Sequence, residues 1–140
     1  MRVMVMVKAT KSSEAGGMPD EKSLAEMGRF NAELVKAGVM LAGEGLHPSS
    51  KGARVIFSGG KRTVVDGPFA EAKELIAGFS IIEAESLAEV IELIKQWPKV
   101  DGHGNAQIEI RQIFTAEDLG FSEQQRERYA KLEAEAAQQQ

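Results

Sequence analysis

The sequence contains no cysteine, one tryptophan, one tyrosine and two histidines among its 140 residues. Without cysteine, disulfide bridges, thiolate metal sites and cysteine nucleophiles are excluded. There are 17 basic and 21 acidic residues, and the resulting net charge of −4 argues against nucleic acid or an anionic membrane surface as a partner. No apolar run approaches the roughly 18 residues of a membrane-spanning helix. We therefore expect one soluble, cytoplasmic globular domain that uses no metal or cofactor.

The first part of the chain predicts a central strand, a polar loop and a helix. Residues 1–8 are β-rich and apolar at both odd and even positions, as in a strand with both faces covered. Residues 8–18 are polar and contain two glycines, which predicts a loop. A helix is predicted to begin at Pro19 and Asp20 and to end before Gly38. Its predicted buried face carries Leu24, Met27, Phe30 and Leu34.

The remainder predicts five strands and two helices. The predicted strands are 39–44, 54–57, 63–65, 75–82 and 108–114, of which the second and third form a hairpin around Gly59 and Gly60. Ser86 with Glu89, and Ser122 with Gln125, have the spacing of capping boxes that start the two helices. The first of these helices has an apolar face of Leu87, Val90, Ile91, Ile94 and Trp97. The second is charged and runs to about residue 136.

This order of elements defines the expected fold class. A strand, a helix, a strand, an inserted β-hairpin, a strand, a helix and a strand form the split βαβ arrangement of a ferredoxin-like α+β domain. We predict this domain over residues 1–115 and a C-terminal helical extension over residues 116–140.

The predicted sheet has more apolar surface than two helices can cover. Its first strand places valines on one side and Met4 and Met6 on the other. We expect a second copy of the chain to cover the second face, which would make a homodimer that closes as an α+β barrel. The alternative is that the C-terminal helix folds back over this face through Phe121, Tyr129 and Leu132.

Several common functional motifs are absent. A Walker A loop is excluded because Arg62 stands where the motif needs serine or threonine. The dinucleotide fingerprint fails because Gly43 and Gly45 are followed by Pro48 and open no helix. A calcium loop would need glycine where Ala106 stands. The two histidines lack the spacing of a zinc motif.

The candidate catalytic residues follow strand ends. Glu44, His47 and Asp66 each lie at or just beyond a predicted strand end, where a sheet can direct side chains into one cleft. Histidine beside a carboxylate is a common general acid–base pair, because the carboxylate fixes the imidazole tautomer. We therefore predict that Asp66 and His47 are catalytic. The alternatives are an exposed loop histidine and an aspartate that only caps a turn.

The predicted ligand-binding residues are Glu44, Arg54 and Phe79. Glu44 or Arg54 would bind a polar substituent, and Phe79 would line an apolar cleft together with Met4 and Met6. Arg54 has the alternative of remaining solvated without a ligand.

These motifs resemble those of the YCII-related, or DGPF-domain, family over roughly residues 1–115. The similar segments are Asp66-Gly67-Pro68-Phe69-Ala70-Glu71, Gly43-Glu44-Gly45-Leu46 with Pro48, Gly78-Phe79 and Glu109-Ile110-Arg111. The resemblance implies a ferredoxin-like fold assembled as a dimeric α+β barrel. It also implies a candidate His-Asp active site in part of the family, and Asp66 matches the family's DGPF aspartate. A few relatives act on chlorinated aromatic rings, and some are associated with sigma-factor partners.

Two functions from different classes follow. The first is acid–base chemistry on a small apolar or aromatic molecule held in a pocket at the dimer barrel. The second is a non-catalytic binding or regulatory module in which the DGPF turn is structural. In this second function, Pro68 and Gly67 shape the turn and Phe69 fills the core.

Overall fold

The computed structural model describes residues 1–139, which form a four-stranded antiparallel sheet, a separate hairpin and four α-helices. The strands are β1 (Arg2–Lys8), β2 (Met40–Gly45), β3 (Ala53–Ser58), β4 (Lys61–Asp66), β5 (Ile76–Glu83) and β6 (Ile108–Gln112). The helices are α1 (Lys11–Glu14), α2 (Glu21–Lys36), α3 (Leu87–Ile94) and α4 (Glu123–Gln138). Short 3-10 turns cover Ser49–Lys51, Ala72–Glu74 and Asp101–Gly104.

The main sheet has the strand order β2-β5-β1-β6, and the hairpin β3–β4 stands apart from it. β1 is central and pairs antiparallel with both β5 and β6. This topology, with helices after the first strand and after β5, confirms the predicted ferredoxin-like α+β fold with an inserted hairpin and an additional C-terminal helix.

The hydrophobic core lies between one face of the main sheet and the two helices α2 and α3. Alternate residues of β1 point into it, and Val3 and Val5 are completely buried together with Ile82 of β5. The helices contribute Phe30, Leu34, Val90 and Ile94. Full burial of such aliphatic side chains contributes roughly 1.5–3 kcal/mol each.

The buried face of α2 differs from the prediction at its first turn. Ser23 is buried, whereas Leu24 is 56% exposed. At 3.6 residues per turn, Ser23 lies in line with Phe30 and Leu34, and Leu24 lies about 100° further round the helix. Asp20 caps the helix by accepting a hydrogen bond from the Ser23 backbone N–H at 2.8 Å. This bond, with help from the Ser23 hydroxyl, holds the pKa of Asp20 below its ordinary value.

Helix α3 is shorter than its apolar pattern indicated. Ser86 accepts a hydrogen bond from the Glu89 N–H, but Glu89 accepts from Glu85 and not from the cap residue, so the predicted capping box is only half formed. The helix ends at Ile94. Trp97 lies beyond it, where its ring meets Phe30 edge-on with centroids 5.5 Å apart.

The predicted polar loop after β1 contains the short helix α1. Thr10 and Ser13 form a complete capping box at its start. The sequence carried this signal, but a four-residue helix is too short to show an apolar period.

Helix α4 confirms its predicted capping box at Ser122 and Gln125. Its residues from Glu123 to Gln138 are all exposed, including Tyr129 at 46% and Leu132 at 61%. Phe121 packs against Tyr129 with ring centroids 5.6 Å apart. The alternative in which this helix covers the second sheet face is therefore wrong, because Tyr129 and Leu132 are exposed and Phe121 is only partly buried.

Within residues 1–139, no helix is both long and apolar enough to cross a membrane.

Candidate functional site

The second face of the main sheet, here called the open face, has an apolar centre. Two rows of side chains run across it. One row contains Phe79 paired with Met6, and the next contains Ile81 paired with Met4. These four side chains are only partly buried, and the helices α2 and α3 pack on the opposite face of the sheet. A partly exposed apolar surface at the middle of a sheet is a candidate site for a ligand or a partner.

Charged side chains flank this apolar centre on the two edge strands. Glu44 of β2 pairs with Phe79, and Glu109 of β6 pairs with Met6, so the two carboxylates end the same row. Arg111 lies beside Met4 in the next row. The open face therefore has an apolar surface that could contact a ring, with a carboxylate on each edge strand and a guanidinium on one of them.

The DGPF turn, residues 66–69, lies against the 3-10 turn that begins at Ser49. The Phe69 N–H donates to the Ser49 hydroxyl oxygen at 2.9 Å. That hydroxyl donates to the Glu14 carboxylate, which also accepts from the Ser49 N–H at 2.9 Å. Glu14 belongs to α1, so three segments distant in sequence are joined through one serine.

Gly67 allows the close approach of these two turns. Its N–H donates to the Gly52 carbonyl oxygen at 3.0 Å. A Cβ atom at Gly67 would overlap the Ser49 carbonyl oxygen. Glycine is required here because of space, and the need arises from a segment 18 residues earlier.

Phe69 does not fill the core, contrary to the structural function considered for it. It is partly buried outside the core cluster, and the Arg54 guanidinium lies 3.8 Å from its ring centroid. This is a cation–π contact. Arg54 therefore covers the DGPF turn in this structure, while its outer surface stays exposed.

His47 and Asp66 lie on the two segments that meet at Ser49. Leu46 donates its N–H to the Ala77 carbonyl oxygen at 2.8 Å, so the chain leaves the sheet edge immediately before His47. Asp66 ends β4 and pairs with Ala53. Both side chains are exposed, and across residues 1–139 no hydrogen bond or ion pair joins them. Their segments are together, but their side chains are not paired.

Glu44 and Phe79 are brought together as direct cross-strand neighbours on the open face. Sequence reasoning missed Glu14, Ser49, Glu109 and Arg111. Glu109 and Arg111 are alternate residues of β6, and their pairing with Met6 and Met4 places both side chains on the open face. No local signal indicated the contact of Glu14 with Ser49, since 35 residues separate them.

The fold and these features define a ferredoxin-like α+β domain with a partly apolar open face and a glycine-dependent turn. The YCII-related domain model matches residues 1–116, so the chain belongs to the YCII-related domain family, as its motifs indicated.

The chain is similar to two further proteins, one by sequence and one by structure. An uncharacterised protein of Rhizobium meliloti (strain 1021) is 33% identical over 76 residues, which are 54% of this chain and 61% of that protein. The chain thus spans less than two thirds of that relative. The solved structure of 5-chloro-2-hydroxyhydroquinone dehydrochlorinase from Burkholderia phenoliruptrix AC1100, in complex with 2,5-dihydroxybenzoquinone, is similar with a TM-score of 0.43 and 17% identity. The similarity covers 84% of this chain and 99% of that one.

Proposed function

We propose that the protein binds a small apolar or aromatic molecule on its open face, in a pocket closed by a second copy of the chain, and performs acid–base chemistry on it. The observation that carries this proposal is the apolar centre of Met4, Met6, Phe79 and Ile81, which is flanked by ionisable groups and only partly buried. Apolar walls with a few polar groups are characteristic of small-molecule sites.

The ligand contacts follow from the cross-strand register. The Phe79 ring would stack on the ligand beside Met6, and Glu44 would accept a hydrogen bond from a polar substituent. Arg54 would bind an anionic substituent if it rotates off Phe69, which its exposure allows. Specificity would come from the charged groups and affinity from the apolar centre.

The proton would be transferred by His47, with Asp66 orienting its imidazole. Ser49 holds the His47-Pro48 segment against the turn that follows Asp66, which supports a pairing of the two side chains when a ligand binds. Catalytic hydrogen bonds in ligand-free proteins are often formed only in the complex. Glu14 would act as a positioning residue, since it holds Ser49 in place.

The test is an NMR titration with 4-methylphenol, whose ring is apolar and carries one ionisable hydroxyl. We expect signals of Met4, Met6 and Phe79 to shift together with the imidazole of His47. Asp66→Asn is expected to weaken binding about tenfold, because it removes a charge-assisted hydrogen bond. Glu71→Gln removes the same charge five residues along the chain and serves as the control.

Two results would contradict different parts of the proposal. If 4-methylphenol leaves the NMR signals of Met4, Met6 and Phe79 unchanged, the pocket on the open face is excluded. An identical response of His47 in the wild type and in Asp66→Asn would exclude the acid–base pair but not the pocket.

A second candidate function is a non-catalytic binding or regulatory module, for example one associated with a sigma factor. The contact of Gly67 with Ser49 and of Phe69 with Arg54 favours it, because both give the DGPF turn a structural role. In this case Asp66→Asn would leave ligand binding unchanged, and Gly67 would be the essential residue of the turn.

A further inference from the structure

The β3–β4 hairpin is exposed on both faces. All twelve residues of Ala53–Ser58 and Lys61–Asp66 are exposed, and the two strands pair only with each other. Gly59 and Gly60 connect them with φ values of 55° and 80°, the left-handed conformation that a tight hairpin turn needs. A two-stranded sheet alone is marginally stable in water. The hairpin therefore extends from the domain as an arm.

One face of this arm is apolar. Strand alternation and register place Val55 opposite Val64, with Phe57 and Arg62 as the next pair toward the tip. These three apolar side chains are 56%, 65% and 69% exposed, and Arg62 lies 5.4 Å from the Phe57 ring centroid. Exposed apolar side chains that form a continuous strip indicate a contact surface.

Asp66 lies on this same face, at the base of the arm, where it pairs with Ala53. Anything that packs against Val55 and Val64 therefore comes next to the candidate catalytic carboxylate. The opposite face carries Ile56 and Val65, together with the Arg54 side chain that is already packed on Phe69.

The charge of the arm identifies its partner. Residues 51–66 contain four basic side chains and one acidic side chain, although the whole chain has a net charge of −4. The basic residues are Lys51, Arg54, Lys61 and Arg62, and the acidic residue is Asp66. The rest of the chain is therefore more acidic than this total. The open face combines an apolar centre with the carboxylates of Glu44 and Glu109, which complements an apolar arm with a basic tip.

We propose that the arm packs its Val55–Phe57–Val64 face against the open face of a second copy of this chain, with Arg62, which shares that face, next to the carboxylates there. In a twofold dimer both arms are exchanged in the same way. Each open face then receives the partner subunit's Asp66, so the complete site is shared between two copies. This inference rests on the dimeric pocket of the proposed function and names the segment that closes it.

Sedimentation velocity across a concentration series tests the proposal. Val64→Asp places a charge on the packed face and is expected to raise the dimer dissociation constant at least tenfold, because an unpaired charge would be buried in each arm. Thr63→Asp introduces the same charge at the neighbouring residue, on the opposite face, and is the matched control with a change below about twofold. Arg62→Glu is expected to weaken the dimer as well, since it reverses the complementary charge.

Phe79→Asp separates this inference from the proposed function. If Phe79→Asp dissociates the dimer while Val64→Asp and Arg62→Glu do not, the open face pairs without the arm and the arm proposal is overturned. If the wild-type chain stays monomeric at every concentration, both the arm interface and the dimeric pocket of the proposed function are overturned. If Val64→Asp and Phe79→Asp dissociate the dimer and Thr63→Asp does not, the arm is confirmed as part of the interface. Circular dichroism of each variant shows that the monomer is folded.

Discussion

The main sheet and the hairpin use the same local pattern with opposite results. Val3 and Val5 alternate with other residues along β1 and are completely buried. Val55 and Phe57 occupy alternate positions along β3 in the same way and remain 56% and 69% exposed. Both pairs lie in antiparallel strands. The difference lies in the second layer, since α2 and α3 cover one face of the main sheet and nothing within residues 1–139 buries either face of the hairpin.

This comparison shows that alternation predicts a strand but not what covers it. Burial of apolar area is the main favourable contribution to folding, so the two regions should differ sharply in their contribution to the stability of one copy. It also separates two kinds of apolar residue in this chain, those buried in the core and those that stay exposed.

The largest expected effect tests this contrast directly. Ile82→Ala removes a completely buried side chain and is expected to lower the free energy of unfolding by roughly 2–5 kcal/mol. Val64→Ala in the hairpin should change it by less than about 0.5 kcal/mol under conditions where the protein is monomeric. Urea unfolding of both variants measures the difference. Equal effects would show that the hairpin belongs to the folding core.

A smaller effect is expected where the hairpin joins the domain. Gly67→Ala forces a Cβ atom onto the Ser49 carbonyl oxygen, and relief of this overlap should cost roughly 1–3 kcal/mol. Gly45→Ala is the matched control, because nothing lies within 4 Å of a Cβ atom there. Thermal unfolding compares them, and a Gly67→Ala protein as stable as Gly45→Ala would contradict the close packing of the two turns.

The smallest effect concerns the helical layer that covers the main sheet. The pKa of Asp20 is lowered from its ordinary value of 3.8 by its hydrogen bonds from Ser23. In the folded protein this carboxylate therefore stays charged at pH values where a free aspartate is already protonated. The stabilisation is present above pH 3.8 and is lost as the pH falls through the lowered pKa. Asp20→Asn keeps an oxygen acceptor but does not titrate, so its stability should fall less steeply below pH 3.8.

Parallel acid titrations of the wild type and Asp20→Asn, followed by circular dichroism, measure this slope. Asp118→Asn, at a carboxylate that accepts from the Thr115 N–H in a turn outside the helices, is the control. Identical slopes for Asp20→Asn and the wild type would contradict the assigned role.

Most of the fold could be predicted because its signals are local. Apolar alternation, Gly59-Gly60 and the helix caps at Asp20, Ser86 and Ser122 placed the six strands, the hairpin and the three longer helices, with ends displaced by one or two residues in most elements. The errors have local causes too. Leu24 is apolar but lies off the buried line of α2, and Trp97 follows the end of α3 although it continues the apolar spacing.

The site was less predictable because its contacts are not local. Glu44 and Phe79 were chosen separately, and only the register between β2 and β5 made them neighbours. Asp66 and His47 were chosen as a pair, and the structure joins their segments without pairing their side chains. Ser49, which makes that junction with Glu14, has no local sequence feature that distinguishes it from other loop serines.

The sequence by itself determined most of the secondary structure and the order of elements along the chain, because periodicity, caps and turn residues act over a few positions, and its motifs indicated the family. Only the tertiary structure decided which apolar residues are buried, since burial depends on whether a second layer reaches a given face. It also decided why Gly67 is needed, because the Ser49 carbonyl that excludes a side chain there comes from a distant turn. Two faces with the same strand pattern therefore differ, since one is buried in the core and the other stays exposed.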